Sequence, residues 1–148
     1  MIKALILVGG FSVSLLVSCD VRKSDKLAGT PEAIKTEAAA ASTKVQMIDS
    51  LYDFGKIAEG ENVEFSYRFK NVGSKPLVVS NASASCGCTV PEKPEAPIKP
   101  GETGFIKVKF NSEGRAGVAH KTVSVLSNAS PAFPELVLKG EVTPKTKQ

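Results

Sequence analysis

Val63-Glu64-Phe65-Ser66-Tyr67-Arg68-Phe69 is the stretch that decides the fold. Apolar side chains stand at 63, 65, 67 and 69, with Glu64, Ser66 and Arg68 between them. A period of two sends the two sets to opposite faces of an extended chain, so one face is buried and the other is wet. Outward from it, Asn71-Val72-Gly73-Ser74 has turn composition, and Leu77, Val78 and Val79 begin another strand. Lys99-Pro100-Gly101-Glu102 is a second turn, in which Pro fixes φ and Gly accepts a positive one. Ile106, Val108 and Phe110 alternate with Lys107 and Lys109. Residues 111–117 form a Gly-rich loop. Residues 121–126 and 135–142 are the last two strands, divided by Asn128-Ala129-Ser130-Pro131. An opening strand falls within 46–54.

About seven strands with turn signals every 8–12 residues predict an all-β domain, an immunoglobulin-like antiparallel β-sandwich over residues 45–143. A β-barrel is the alternative, because alternation alone does not give strand order. Phe54, Val63, Phe65, Phe69, Leu77, Val79, Ile106, Val108, Phe110, Val123, Val125 and Leu136 are the expected core. The chain has no Trp, and its two domain cysteines lie only two residues apart, so the Trp and inter-sheet disulfide of antibody domains are both missing and apolar packing must suffice.

Ahead of the domain the period is lost. Met1-Ile2-Lys3 carries one positive charge, and an apolar run of about 14 residues follows from Ala4 to Val17. That length suits a signal peptide (1–18) and is short for a span of about 20 residues. The run ends at Leu16-Val17-Ser18-Cys19, which resembles a bacterial lipobox. The resemblance implies cleavage before Cys19, with a diacylglycerol thioether and an acyl chain such as palmitate on that residue. Acyl burial at ~0.8 kcal/mol per CH2 makes two or three chains a stable anchor. Three cysteines are an odd number for an exported protein, and a lipidated Cys19 leaves an even pair. Residues 19–44, polar and rich in Ala, Thr and Lys, read as lipidated N-terminus and flexible linker, and 144–148 as a polar tail. The expected place is the cell envelope, membrane-bound through the lipid. The outer membrane facing the periplasm is favoured; inner membrane or cell surface stays open.

Tyr52-Asp53-Phe54-Gly55-Lys56-Ile57, Phe69-Lys70-Asn71-Val72-Gly73, Ser85-Cys86-Gly87-Cys88-Thr89 and Val108-Lys109-Phe110-Asn111-Ser112 carry a family resemblance. Together they resemble the bacterial domain-of-unknown-function 1573 family, common in Bacteroidota lipoproteins. That family is similar to the major-sperm-protein and ASPM/SPD/Hydin-type Ig-like domains. The resemblance implies a fold and a location, and no activity.

Cys86 and Cys88 admit three readings: a local disulfide or packing pair, a redox dithiol, or two thiolates holding a soft ion such as Cu(I) or Zn(II). In a regular strand their Cα atoms would lie about 6.6 Å apart, near the limit for a bridge. Gly87 is expected to relax that through φ values closed to other residues. Zinc prefers four ligands, and His120, the one His, reads as a surface residue. No catalytic set has a base, so the reading is not an enzyme, with no cofactor and no resident metal. With formal charge +4 and no basic patch, nucleic acid is not expected as a partner. Asp49-Ser50-Leu51 resembles a Bacteroidota O-glycosylation acceptor, and Asn81-Ala82-Ser83 and Asn128-Ala129-Ser130 match the Asn-glycan pattern. The expected function is a lipid-anchored binding or scaffolding module with an envelope protein as partner; the alternative is thiol redox or copper handling through Cys86 and Cys88. Oligomeric state is not written in the sequence.

Overall fold

The computed structural model describes residues 41–145. Cys19, the signal segment and the linker as far as residue 40 lie outside the described residues. Eight strands follow in order: β1 (Val45–Met47), β2 (Leu51–Ala58), β3 (Asn62–Asn71), β4 (Val79–Ala84), β5 (Thr89–Glu92), β6 (Thr103–Asn111), β7 (Gly117–Ser127) and β8 (Leu136–Thr143). They form two four-stranded sheets, β1-β3-β6-β5 and β2-β8-β7-β4. This is the Ig-like sandwich the alternation predicts, with two refinements.

The opening strand is two strands. The chain pairs with β3 as β1, leaves that sheet at Ile48-Asp49-Ser50, and joins the other sheet as β2. Because it still runs in its original direction, β2 lies parallel to β8, the one parallel pair among the described strands. A strand that changes sheets without a turn must meet its new neighbour in the old direction, which period-two alternation does not reveal. The domain also begins earlier than residue 45. Thr43 is buried, bridges Ala129, and donates its hydroxyl to the carbonyl of Lys75 (2.9 Å). Residues 41–44, expected in the linker, therefore belong to the folded unit.

The core follows the strand pattern. In β3 the odd positions Val63, Tyr67 and Phe69 are buried, and Phe65 is half-buried, stacked on Tyr52 with ring centroids 3.9 Å apart. In β6 the inward set is Gly104, Ile106, Val108 and Phe110. One cluster of buried side chains gathers Tyr67, Phe69, Leu77, Ile106, Val108 and Leu136. The other gathers Val63, Cys88, Phe110, Ala119, Leu138 and Val142. Each Val, Leu, Ile or Phe side chain among them contributes about 1.5–3 kcal/mol on burial. Expected core residues Phe54 and Val125 are only partly buried and pack against these clusters. The Phe54 ring lies where a Cβ on Gly140 would be, so β8 needs a glycine there.

Three buried or half-buried polar side chains tie the turns. Asn71 is completely buried and uses its whole carboxamide. Its Nδ2 donates to the carbonyls of Lys75 (2.8 Å) and Ile98 (2.9 Å), and its Oδ1 accepts from the Gly73 amide (3.1 Å) and shares the Thr43 hydroxyl proton (3.1 Å) with the Lys75 carbonyl. Ser112 accepts from the Gly60 amide and donates to the Glu61 carbonyl, closing the 58–61 turn. Asn128 donates to the carbonyls of Ala41 and Pro76 and accepts from the Val78 amide. Among the described residues no buried side-chain polar atom lacks a partner. The Lys99–Glu102 turn is as read: Gly101 has φ +83° and the Glu102 amide donates to the Lys99 carbonyl.

Candidate functional site: the disulfide turn and the sheet edges

Ser85-Cys86-Gly87-Cys88 is the crossing from β4 in one sheet to β5 in the other. A crossing must bend, and the Thr89 amide donates to the Cys86 carbonyl across the bend (3.3 Å). The bend shortens the Cα–Cα distance to 5.4 Å, and the two cysteines are joined as a disulfide. Gly87 is not among the glycines with positive φ, and a Cβ there would meet open space. The expectation that Gly87 makes the bridge through an unusual φ is therefore corrected: the turn does so.

Cys88 is 5% exposed and packs among Val63, Phe110, Ala119 and Leu138, while Cys86 is half-buried at the rim. Neither bonded sulfur can donate, so the Thr89 hydroxyl donates toward both, at 3.6 Å and 3.8 Å. Thiol exchange at Cys86 would expel Cys88 as a thiolate into apolar surroundings, which raise a thiol's pKa and make it a poor leaving group. A bonded pair also presents no thiolate to a metal ion. Ala119 faces the Cys88 cluster, and the exposed His120 beside it stands on the opposite face of β7. Among the described residues no group of three or more His, Cys, Asp or Glu is placed to hold a metal. The chemistry of this turn is that of a covalent clasp packed into the core.

The glycan-like motifs separate on the structure. Asn128 spends its carboxamide nitrogen inside the fold, and Asn81 is exposed on β4. Asp49 accepts from Arg68 through both carboxylate oxygens (Nε 2.7 Å, Nη2 3.1 Å), and these hydrogen bonds hold its carboxyl below the usual range. Ser50 beside it is exposed.

The four sheet edges differ, and that difference is the feature of the molecule most open to a partner. On the outer face of the first sheet Lys109 sits between Glu64 and Glu92, and Lys107 pairs with Glu92. Hydrogen bonding to Glu92 raises the Lys109 pKa. At the β5 edge the Cys88 carbonyl accepts from the Asn111 amide of β6, so by alternation Thr89 and Pro91 face outward. The Thr89 amide is taken by Cys86 and Pro91 has none, so β5 offers no free donor. At the opposite edge β1 covers only the upper end of β3, and the uncovered Glu64 carries charge. The β2 edge is kinked by a bulge between Asp53 and Lys56, where the Asp53 carboxylate takes the Gly55 amide.

The β4 edge carries neither charge nor proline, and its one irregularity, between Val79 and Asn81, lies ahead of the regular run from Asn81 to Ala84. The Ser85 amide donates to the Thr122 carbonyl of β7, so Ser85, Ser83 and Asn81 bond toward β7. Ala82 and Ala84 then point their N–H and C=O groups away from the sheet. From Pro76 to Pro91 the chain carries no charged residue. The sequence pattern contained this signal: natural edges are normally blunted by charge, proline or a bulge. Pro91 on β5 is such a guard. What alternation did not give was which strand lies outermost.

Residues 45–142 match the family model described as "Protein of unknown function (DUF1573)". The chain belongs to the DUF1573 family. No curated protein is similar enough to match it. Among solved structures, the DUF1573 domain is similar to a protein of unknown function from Porphyromonas gingivalis W83, at 19% identity and TM-score 0.60. That match covers 70% of this chain and 48% of the Porphyromonas chain, so the present chain spans about half its relative's length. It is also similar to the ASH/PapD-like domain 7 of human CEP192 (14% identity, TM-score 0.50, 71% of this chain and 89% of that one). A third likeness is to the Vibrio cholerae VesB protease (10% identity, TM-score 0.52, 68% of this chain and 32% of that one). At these identities the likenesses establish the Ig-like sandwich of the DUF1573 domain and nothing of its chemistry.

Proposed function

We propose that this DUF1573 domain is a lipid-anchored, non-enzymatic binding module of the cell envelope, and that it receives an extended strand at the β4 edge. The observation that carries the reading is the β4 edge itself: backbone donors and acceptors at Ala82 and Ala84 face outward on an uncharged strand. An added strand there takes its affinity from main-chain hydrogen bonds. The geometry suits a tethered module. The chain enters the domain at residues 41–44, beside Asn128 and Lys75, and the disulfide turn lies at the other end of the sandwich. Ten residues of β3 at ~3.4 Å each put about 30 Å between those ends. With lipid on Cys19 the tether joins the domain at the end opposite the disulfide turn and leaves that turn uncovered by it, and the clasp holds the end of β4 in a fixed shape for docking.

The test is a pair of substitutions in the full chain. Cys19→Ala is expected to move the protein out of the membrane fraction; retention there would refute the lipid anchor. Ala82→Pro removes an outward N–H and leaves the β7 ladder intact. It is expected to abolish recovery of crosslinked partners from intact cells without changing the melting temperature. Partners recovered equally by both chains would refute the edge.

A further inference from the structure

We infer that the strand received by the β4 edge is β4 of a second copy of this chain, forming a two-fold dimer centred on Ser83. The inference rests on the reading of β4 as the binding edge. Its argument is self-complementarity. A two-fold axis sets every side chain against a copy of the same strand, so a charged edge repels itself. The β3 edge carries the charges of Glu64 and Arg68 and is partly covered by β1, Pro91 deprives β5 of a donor, and the bulge bends β2 in mid-strand, whereas the irregularity of β4 lies ahead of residue 81. From Pro76 to Pro91 there is no charge to repel, and the β4 side chains Ser80 to Ala84 are small.

The register follows from which groups face out. Ala82 opposite Ala84 of the other copy, and Ala84 opposite Ala82, exchange both bonds of each pair and so make four. Ser83 then faces Ser83 across the axis as a non-hydrogen-bonded pair, with Cβ atoms about 4.5–5.5 Å apart. Asn81 faces Ser85 on the same outer surface, polar against polar. Centring one residue earlier would use Ser80, which has no partner in the β7 register, and one residue later would use Cys86 in the turn. The Ser83 centre alone employs regular strand throughout and joins the two copies of the second sheet into one sheet of eight strands. Four backbone bonds make a small interface, so it belongs to chains held close together on a membrane surface.

The experiment uses the full lipidated chain in vesicles carrying Ser83→Cys. Cys86 and Cys88 are already bonded to each other, so the introduced thiol is the reactive one. Mild oxidation is expected to link two chains through the introduced thiols, and adding Ala82→Pro is expected to abolish the link. Ser124→Cys, one strand inward on β7, is the control and is expected not to link. Equal linking by the control would mean random collision and would overturn the dimer. In cells, Ser83→Cys linking to other proteins and never to itself would overturn the second copy while keeping the edge. Linking to nothing in either setting would overturn both. If Ala82→Pro also lowers the melting temperature, Ser83→Lys replaces it: energy transfer between labelled chains in vesicles is then expected to fall to background, and unchanged transfer would refute the dimer.

Discussion

Replacing Asn71 by alanine removes one carboxamide, three full hydrogen bonds and a share of a fourth at once. Both donated protons go to carbonyls, of Lys75 and Ile98, and both accepted ones come from Gly73 and Thr43. The site is completely buried, so water does not replace them without opening the fold. At a net ~1 kcal/mol per bond the loss is about 3–4 kcal/mol. That is a large share of the 5–15 kcal/mol typical of a domain. For a domain of this size each kcal/mol moves Tm by roughly 4–8 °C, so thermal unfolding followed by far-UV circular dichroism is expected to fall by about 20 °C. Asn71→Asp tests the donors separately. Its carboxylate would face two carbonyl oxygens, so ionisation is disfavoured in the folded state and the folded pKa rises above the unfolded ~3.9. The variant is then most stable below pH ~4 and loses stability as pH rises through the folded pKa. A Tm drop under a few degrees for Asn71→Ala, or an Asn71→Asp protein indifferent to pH, would refute the role given to Asn71.

Three more outcomes follow from the same structure. Tyr67 donates its hydroxyl to the Val137 carbonyl (2.7 Å), and burial raises its pKa above the ordinary 10.0, so its contribution is held below pH ~10 and lost as pH rises further. Tyr67→Phe is expected to cost about 1–2 kcal/mol at neutral pH and to flatten that alkaline loss; an unchanged alkaline limb in denaturant titrations counts against it. Removing the disulfide with Cys86→Ala/Cys88→Ala opens a three-residue loop, which loop entropy values at ~1.6 kcal/mol; calorimetry showing a much larger loss would mean the clasp holds more than its own turn. The Arg68 hydrogen bonds depress the Asp49 pKa, so its stabilisation is present above the unfolded pKa of ~3.9 and lost as pH falls through the folded one. Wild type and Asp49→Asn should therefore differ slightly at neutral pH and converge in acid, and curves that stay parallel would remove the pair's electrostatic role.

The strands were legible where burial is one-sided. Val63 to Phe69 and Ile106 to Phe110 alternate because water touches one face of each sheet, and the Pro100-Gly101 turn was legible because its φ values admit few residues. Asn71, Ser112 and Asn128 were not legible as structural centres. An Asn or Ser in a turn looks the same whether it faces solvent or ties chain segments far apart in sequence. The Cys86–Cys88 pair stood open among bridge, dithiol and metal clamp, because strand spacing measures a straight chain and this chain bends there.

By itself the sequence determined the all-β strands, the family resemblance and the position of the cysteine pair, since hydrophobic period, turn chemistry and motif order are local properties of the chain. Only the tertiary structure decided that the first strand divides between two sheets, that Cys88 is sealed in the core, and that β4 lies outermost with Ala82 and Ala84 unguarded. Those facts depend on which segments meet across long stretches of chain. An edge is defined by the neighbour a strand does not have, which no strand's own residues record.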